Sequence, residues 1–180
     1  MTCVPSHVDW VARFAAQAGV GSRVKPLLCD ALQMPGENRF TSVAAVDSSS
    51  YLPRKPWLLR VASLLRPGGH VFIIDCFLMQ LDYAKAFDRY WHTRIGTIDE
   101  YLIAANESRL RVVSIADISH RTVHFWTTTL ALIQTEMQDP GLDPIERARY
   151  EASVHAHALV RQGLVSNGLR YCLMRLSKDG

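Results

Sequence analysis

Short apolar runs alternate along the chain with stretches in which apolar residues recur every three or four positions. The runs predict β-strands, and the recurring stretches predict amphipathic helices. The predicted strands are Arg23–Cys29, Ser42–Val46, His70–Phe77, Arg111–Ile118 and Leu169–Leu176. The predicted helices cover residues 6–18, 55–65, 97–107, 121–137 and 144–165. Strands that alternate with helices indicate an α/β fold with a mostly parallel sheet.

Capping signals mark the starts of three of these helices. Ser6 and Asp9 have the spacing of a capping box, in which each member bonds the backbone N–H of the other, and Thr97–Glu100 repeats that spacing. Asp143 followed by Pro144 predicts the start of the last helix, because proline is favoured at the first helical position.

Two turns carry glycine. Arg66–Gly69 has the sequence R-P-G-G and predicts the end of the second helix just before His70–Phe77, a continuous apolar run typical of a strand buried on both faces. Asn167-Gly168 predicts a tight turn into the last strand. We therefore expect that strand to run antiparallel, at the edge of the sheet.

Composition excludes several classes of protein. The 180 residues suit a single domain, 1–180, and the 48% hydrophobic and 21% charged residues are those of a globular protein. A net charge of +3, with its basic residues scattered, does not predict a nucleic-acid groove. No apolar run approaches the ~20 residues of a membrane span, and residues 1–20 lack the features of a signal peptide. The four cysteines are far apart, so we expect a reduced cytoplasmic protein.

Three apolar runs stop at aspartates: Asp30, Asp47 and Asp75. In an open α/β sheet, ligands bind beyond the carboxyl ends of the strands. These side chains are therefore candidate ligand contacts, although aspartate also favours ordinary solvated turns.

Several segments resemble class I S-adenosylmethionine-dependent methyltransferases. Cys29–Pro35 resembles the segment "D-A-x-x-L/M-P", and Leu64–Phe72 resembles the turn and strand "L-R-P-G-G-x-x". Thr97–Tyr101 and Val112–Asp117 resemble the branch with cyclopropane-synthase-like, tocopherol and geranyl diphosphate enzymes. The resemblance covers nearly the whole chain and implies a Rossmann-like methyltransferase sheet.

The resemblance also implies roles for particular residues. Asp30 and the backbone of Ala31 would contact the adenine of S-adenosylmethionine. Asp47 would lie beside the cofactor, and Asp47 with Tyr51 would lie near the reacting carbon, where the geranyl diphosphate branch has "N-E-S-x-x-Y". A carboxylate there can stabilise a cation or remove a proton after carbon methylation.

Aromatic residues beyond the strand ends form the candidate acceptor site. Tyr90, Trp91, Phe125 and Trp126, together with Phe87, fall in two cap segments, about 78–96 and 119–143, and are expected to line an apolar cavity for a small molecule. Simple packing of the cap helices is the alternative explanation for these aromatics.

The histidines do not predict a metal site. His120 and His124 share a helix face, but no third ligand stands at a recognisable spacing. His120 follows a strand end and is therefore a candidate general base.

The family's N-terminal strand and glycine-rich "D-x-G-x-G-x-G" loop have no counterpart here. Met1–Ser6 resembles the tail of the family's second strand, so we expect an N-terminally truncated sheet with unpaired backbone at the gap. Three explanations stay open: a fragment or misassigned start, closure of the gap by a partner chain or a second copy, or a rearranged domain with another task.

The sequence therefore predicts a methyltransferase that uses S-adenosylmethionine to methylate carbon or oxygen of a small natural-product-like acceptor. The alternative is a non-methylating relative that serves as a cyclase-type catalyst or a binding subunit in a biosynthetic pathway.

Overall fold

The computed structural model describes residues 1–180, which form two compact units, Met1–Glu37 and Asn38–Gly180. The first unit contains helix α1, Pro5–Gln17, and a short 3-10 turn, Gly21–Arg23. That the two units together form the single domain expected from the sequence stays a prediction.

The start of α1 differs from the prediction. Pro5 is the first helical residue, so Ser6 lies inside the helix and cannot cap it with Asp9. No side chain caps this end, which a proline tolerates because it has no N–H to satisfy. The predicted capping box at Ser6 is therefore wrong.

The predicted strand Arg23–Cys29 is also wrong. Only Leu28 makes a ladder contact, as a single parallel bridge to Thr2. The Thr2 N–H donates to the Leu27 carbonyl at 3.0 Å, and the Cys29 N–H donates to the Thr2 carbonyl at 2.9 Å. The pairing cannot extend because the chain turns into α1 at Pro5, only three residues after Thr2.

The second unit alternates strands and helices, as predicted. Its elements are β1 Phe40–Val46, α2 Arg54–Leu64, β2 Leu65–Leu78, α3 Ala84–Trp91, α4 Ile98–Glu107, β3 Leu110–Asp117, α5 Ser119–Glu136, α6 Pro144–Val165 and β4 Leu169–Lys178. Two capping predictions are confirmed here. The Thr97 hydroxyl and the Glu100 carboxylate exchange bonds with each other's backbone N–H, and the Asp143 carboxylate accepts from the Ile145 N–H.

The four strands form one mixed sheet in the order β1-β2-β4-β3. β1 pairs with β2 in parallel, and β4 pairs antiparallel with both β2 and β3. The predicted antiparallel direction of β4 is confirmed, but its predicted place at an edge is wrong. The turn at Asn167 fixes the direction of the strand and not its neighbours, and the buried Cys172, Met174 and Leu176 suit an interior position.

β1 is an edge strand, since its ladder has a partner only on the β2 side. Completion of the sheet by a partner chain or a second copy stays a prediction, which the mass of the native particle tests. None of the helices is long and apolar enough to cross a membrane.

The R-P-G-G sequence, Arg66–Gly69, is an excursion within β2, in which the chain leaves the regular pairing with β1. Phe40 pairs with Leu65 and Ser42 pairs with His70, so four residues of β2 stand opposite one residue of β1. Gly68 has a φ of 72°, and a Cβ on Gly69 would lie 2.9 Å from the Arg66 carbonyl oxygen. Both glycines are thus required by the backbone.

Helices cover both faces of the sheet. Successive residues of a strand point to opposite faces of the sheet, so the contacts of Phe77 lie on one face and those of Leu78 lie on the other. Phe77 packs edge-on against Tyr101 of α4, with ring centroids 5.1 Å apart. Leu78 belongs to a buried cluster with Val160 and Leu164 of α6. Layers of helices on both faces enclose the sheet in a three-layer α/β fold.

Candidate active site

A cavity of about 320 Å³ opens beside the carboxyl ends of β1 and β2, the location where open α/β sheets bind ligands. All of its lining residues belong to the unit Asn38–Gly180. They are Asp47, Ser50, Tyr51, Asp75, Cys76, Phe87, Trp91, Thr93, Phe125, Trp126 and His157. Two carboxyl groups therefore meet a largely aromatic wall.

Asp47 follows the last residue of β1 in a left-handed conformation, with a φ of 46°. Its N–H donates to the Ile74 carbonyl at 2.9 Å, and its carboxylate accepts a short hydrogen bond from the Tyr171 hydroxyl. Partial desolvation raises the pKa of Asp47 above its usual value, the Tyr171 hydrogen bond opposes that rise, and the charge of Asp75 adds to it. The carboxylate is thus held in a fixed orientation.

Asp75 is buried within β2 and serves as a brace. One carboxylate oxygen accepts from the Ser49 N–H at 2.9 Å, the Ser49 hydroxyl at 2.6 Å and the Ser50 N–H at 3.3 Å. The other oxygen accepts from the Cys76 N–H at 2.8 Å. These bonds fix the 3-10 turn Ser49–Tyr51 and hence the position of Tyr51 at the cavity.

The brace continues to α4. The Ser49 hydroxyl donates to Asp75, so the Tyr101 hydroxyl, 2.8 Å away, donates to Ser49. Burial raises the pKa of Tyr101, which keeps that donor protonated. The guanidinium of Arg54 lies 5.1 Å from the Tyr101 ring centroid and is paired with Glu100 at 3.4 Å. A buried polar network therefore supports this side of the cavity.

The opposite wall is a cluster of aromatic rings from α3, α5 and α6 that meet edge-to-face or tilted. Trp91 lies edge-to-face with Trp126 at 6.2 Å between ring centroids, and the His157 ring lies 5.3 Å from each of them. Phe125 packs against Trp126 at 5.3 Å, and Tyr90 packs against Trp91 at 4.6 Å. Such contacts fix the ring positions and leave an apolar wall.

The structure brings together most of the predicted site residues. Asp47, Tyr51, Trp91, Phe125 and Trp126 all line the cavity. Tyr51 and Phe125 are more than half exposed, at 56% and 61%, so they stand at its open side.

Two predicted residues of the unit Asn38–Gly180 fall outside the lining. Tyr90 packs edge-to-face against the Trp91 ring, and His120 is an exposed residue in the first turn of α5. Its neighbour Ser119 takes part in the fold through its hydroxyl, which accepts from the Tyr171 N–H at 2.9 Å. No group of three or more His, Cys, Asp or Glu side chains converges as metal ligands.

Asp30 and Ala31 belong to the first unit. The Asp30 carboxylate accepts from the Leu32 N–H at 2.9 Å, and its carbonyl accepts from the Gln33 N–H at 3.0 Å. Asp30 therefore forms a local turn of the kind that aspartate favours.

Sequence reasoning missed two residues of the site, Tyr171 and His157, and gave Asp75 a different setting. Tyr171 and His157 carry no local signal, because each acts through a contact with a distant segment. Asp75 was predicted as a candidate ligand contact at the end of an apolar run, whereas β2 continues past it to Leu78. A lone aspartate inside a buried strand was the available signal, since a buried carboxylate requires donors.

A second cavity adjoins the first and shares Ser50, Tyr51 and Thr93 with it. Arg54 and His92 are among its other lining residues, with Arg94 beside them. Guanidinium groups thus stand next to the aromatic cavity but not within it.

The comparisons with known proteins are informative at the level of structure. No protein-family model and no curated protein matches the sequence. A sarcosine dimethylglycine methyltransferase structure from Galdieria sulphuraria is similar, with a TM-score of 0.82 and 17% identity over 98% of this chain and 68% of that chain.

Two further structures are similar. Geranyl diphosphate C-methyltransferase from Streptomyces coelicolor A3(2), in complex with S-adenosyl-L-homocysteine, gives a TM-score of 0.77 and 15% identity over 97% of this chain and 61% of its own. The 4+2 cyclase SpnF gives a TM-score of 0.80 and 17% identity over 99% of this chain and 66% of its own. The chain thus spans roughly three fifths to two thirds of these proteins, and its fold is the Rossmann-like methyltransferase fold.

Proposed function

We propose that this protein transfers a methyl group from S-adenosylmethionine to carbon or oxygen of a small natural-product-like acceptor. The observation that carries the proposal is the cavity that places Asp47 and Tyr51 opposite Trp91, Phe125 and Trp126. Its position beyond the strand ends is where this fold class binds ligands. Similar folds belong to methyltransferases, one of them described in complex with S-adenosyl-L-homocysteine.

The residues of the cavity fit the charged end of S-adenosylmethionine. Its sulfonium is a cation, which carboxylates attract and aromatic faces stabilise. Asp47 and Asp75 supply the carboxylates, and Trp91 and Trp126 supply the aromatic faces. The contact of Asp30 and the backbone of Ala31 with adenine stays a prediction of the sequence, in the unit Met1–Glu37.

S-adenosylmethionine supplies an electrophilic methyl group when it is bound. The protein's contribution is then mainly geometric, because an in-line approach of acceptor and methyl group accounts for most of the rate. The aromatic wall orients the acceptor and excludes water. Asp47 and Tyr51 flank the reacting centre, where Asp47 stabilises developing positive charge.

A methyl-transfer assay tests the proposal. The 180-residue chain is incubated with methyl-labelled S-adenosylmethionine and three acceptors, geranyl diphosphate, geraniol and 2-naphthol, and the products are identified by mass spectrometry. We expect a labelled product, reduced at least about tenfold in Asp47→Asn and unchanged in the exposed control Asp82→Asn. Equal activity of the two variants would exclude the role of Asp47.

The second candidate is a non-methylating catalyst or binding subunit that uses the same cavity. The similarity to the cyclase SpnF favours it, since that fold carries an activity named as cyclisation. The two candidates differ in one observation: binding of an apolar ligand without consumption of S-adenosylmethionine supports the second, and labelled product supports the first.

A further inference from the structure

The hydrogen bonds of His157 fix its tautomer. Its Nδ1 lies 2.7 Å from the Ser153 carbonyl oxygen, one turn earlier in α6, and 3.2 Å from the Ser153 hydroxyl, which can accept from the same N–H. A carbonyl oxygen only accepts hydrogen bonds, so Nδ1 carries the proton. In the neutral ring, Nε2 is then left with a free lone pair.

Nε2 is an accessible atom of a residue that lines the cavity. His157 lines the cavity, and its ring is held by Trp91 and Trp126. The indole nitrogens of those two residues are enclosed without a partner, whereas Nε2 is not an enclosed atom and makes no hydrogen bond to the protein. Its lone pair is therefore available to a molecule in the cavity.

The two carboxylates that line the cavity already accept hydrogen bonds from the protein. Asp75 takes four hydrogen bonds, from Ser49, Ser50 and Cys76. Asp47 is bound by the Tyr171 hydroxyl. Burial raises the pKa of the Cys76 thiol, which keeps it protonated. The imidazole of His157, whose Nε2 lone pair no hydrogen bond engages, is therefore the lining group best placed to accept a proton.

The lining also restricts the acceptor. None of its eleven residues is lysine or arginine, and the wall opposite Asp47 is aromatic. The part of the acceptor that enters this cavity is therefore apolar and carries no anionic group, apart from the group that reacts.

We propose that Nε2 of His157 accepts the proton of a hydroxyl group on an otherwise apolar acceptor, an inference that rests on the proposed function. The hydroxyl oxygen forms a bond to the methyl carbon while the carbon–sulfur bond of S-adenosylmethionine breaks and its electron pair stays on sulfur. The hydroxyl proton passes to Nε2, and the imidazolium later releases it to solvent. The substrate class is therefore apolar alcohols and phenols.

The tautomer can be measured without S-adenosylmethionine. In ¹⁵N NMR of the histidine-labelled chain, we expect His157 to show a protonated Nδ1 and an unprotonated Nε2, with Nε2 shifted by 2-naphthol and not by 2-methoxynaphthalene. The His157→Asn variant assigns the signals. A protonated Nε2 in the neutral ring, or an equal response to both ligands, would overturn the inference.

Ligand affinity and activity provide the second readout. We expect 2-naphthol to bind about three- to tenfold more tightly than 2-methoxynaphthalene, the effect of one hydrogen bond, and His157→Asn to abolish that preference. His155→Asn is the matched control, because exposed His155 makes the same 2.7 Å bond to the Glu151 carbonyl. In the methyl-transfer assay, His157→Asn should lower kcat for alcohols or phenols at least about hundredfold.

The two proposals fail differently. Absence of any labelled product together with an intact ligand preference would refute methyl transfer and leave His157 as a hydrogen-bond acceptor for hydroxyl ligands. Labelled product with full activity in His157→Asn, or methylation at carbon only, would overturn the role of His157 and leave methyl transfer standing.

Discussion

The Tyr171 hydroxyl donates a hydrogen bond to the Asp47 carboxylate across 124 positions of sequence. Asp47 follows β1, Tyr171 lies in β4, and β2 runs between those two strands. The bond therefore crosses β2 near the carboxyl ends of β1 and β2, where the cavity lies. It orients the carboxylate that we place beside the methyl group.

Replacement of Tyr171 by phenylalanine tests that bond. Tyr171→Phe keeps the ring and removes the donor, so the free energy of unfolding should fall by about 1–2 kcal/mol, as expected for a hydrogen bond to a partly exposed charged group. Urea denaturation measures the change. Tyr150→Phe, which removes a hydroxyl without a partner in the structure, should stay within about 0.5 kcal/mol of the parent.

The raised pKa of Asp47 predicts how stability depends on pH. Since the folded-state pKa lies above the usual 3.8, the folded protein holds this proton more strongly than the unfolded chain. The resulting stability is present below 3.8 and is lost as pH rises through the folded-state pKa. Parent and Asp47→Asn unfolding between about pH 3 and 6 should therefore show a loss specific to the parent. Parallel pH profiles would contradict the raised pKa.

The Asp75 brace predicts a larger loss. Asp75→Asn turns one acceptor oxygen into an amide donor that faces the N–H of either Cys76 or Ser49. We expect a loss of about 2–3 kcal/mol in the free energy of unfolding, the upper range for bonds to a charged group. The exposed Asp82→Asn is the control, and a similar small change in both variants would show that the brace is unimportant.

Part of the fold follows from local patterns, and part does not. The capping box at Thr97–Glu100 and the start of α6 were predictable because both signals lie within a few residues. The position of β4 inside the sheet was not, because it depends on which strands lie beside β4. The same limit applies to the site: Asp47 and the aromatics were predictable from segment ends and composition, whereas Tyr171 reaches Asp47, and His157 reaches the cavity, only through tertiary packing.

Replacement of Gly69 by alanine tests the close backbone approach within the excursion of β2. A Cβ there would lie 2.9 Å from the Arg66 carbonyl oxygen and 3.1 Å from that of Thr41, and backbone atoms cannot move aside cheaply. Gly69→Ala should therefore lower the free energy of unfolding by about 1–3 kcal/mol. At Gly21 the nearest atom would be 3.5 Å away, so Gly21→Ala should be tolerated. Equal unfolding midpoints in urea would contradict the close approach.

Binding of S-adenosylmethionine tests the central claim most directly. Isothermal titration calorimetry of the folded, monodisperse 180-residue chain should give saturable heat with one site per chain. Asp47→Asn should weaken the affinity, because it removes a carboxylate beside the sulfonium. Absence of any binding heat in a sample whose circular dichroism shows the α/β fold would contradict the assignment of methyl transfer to this chain.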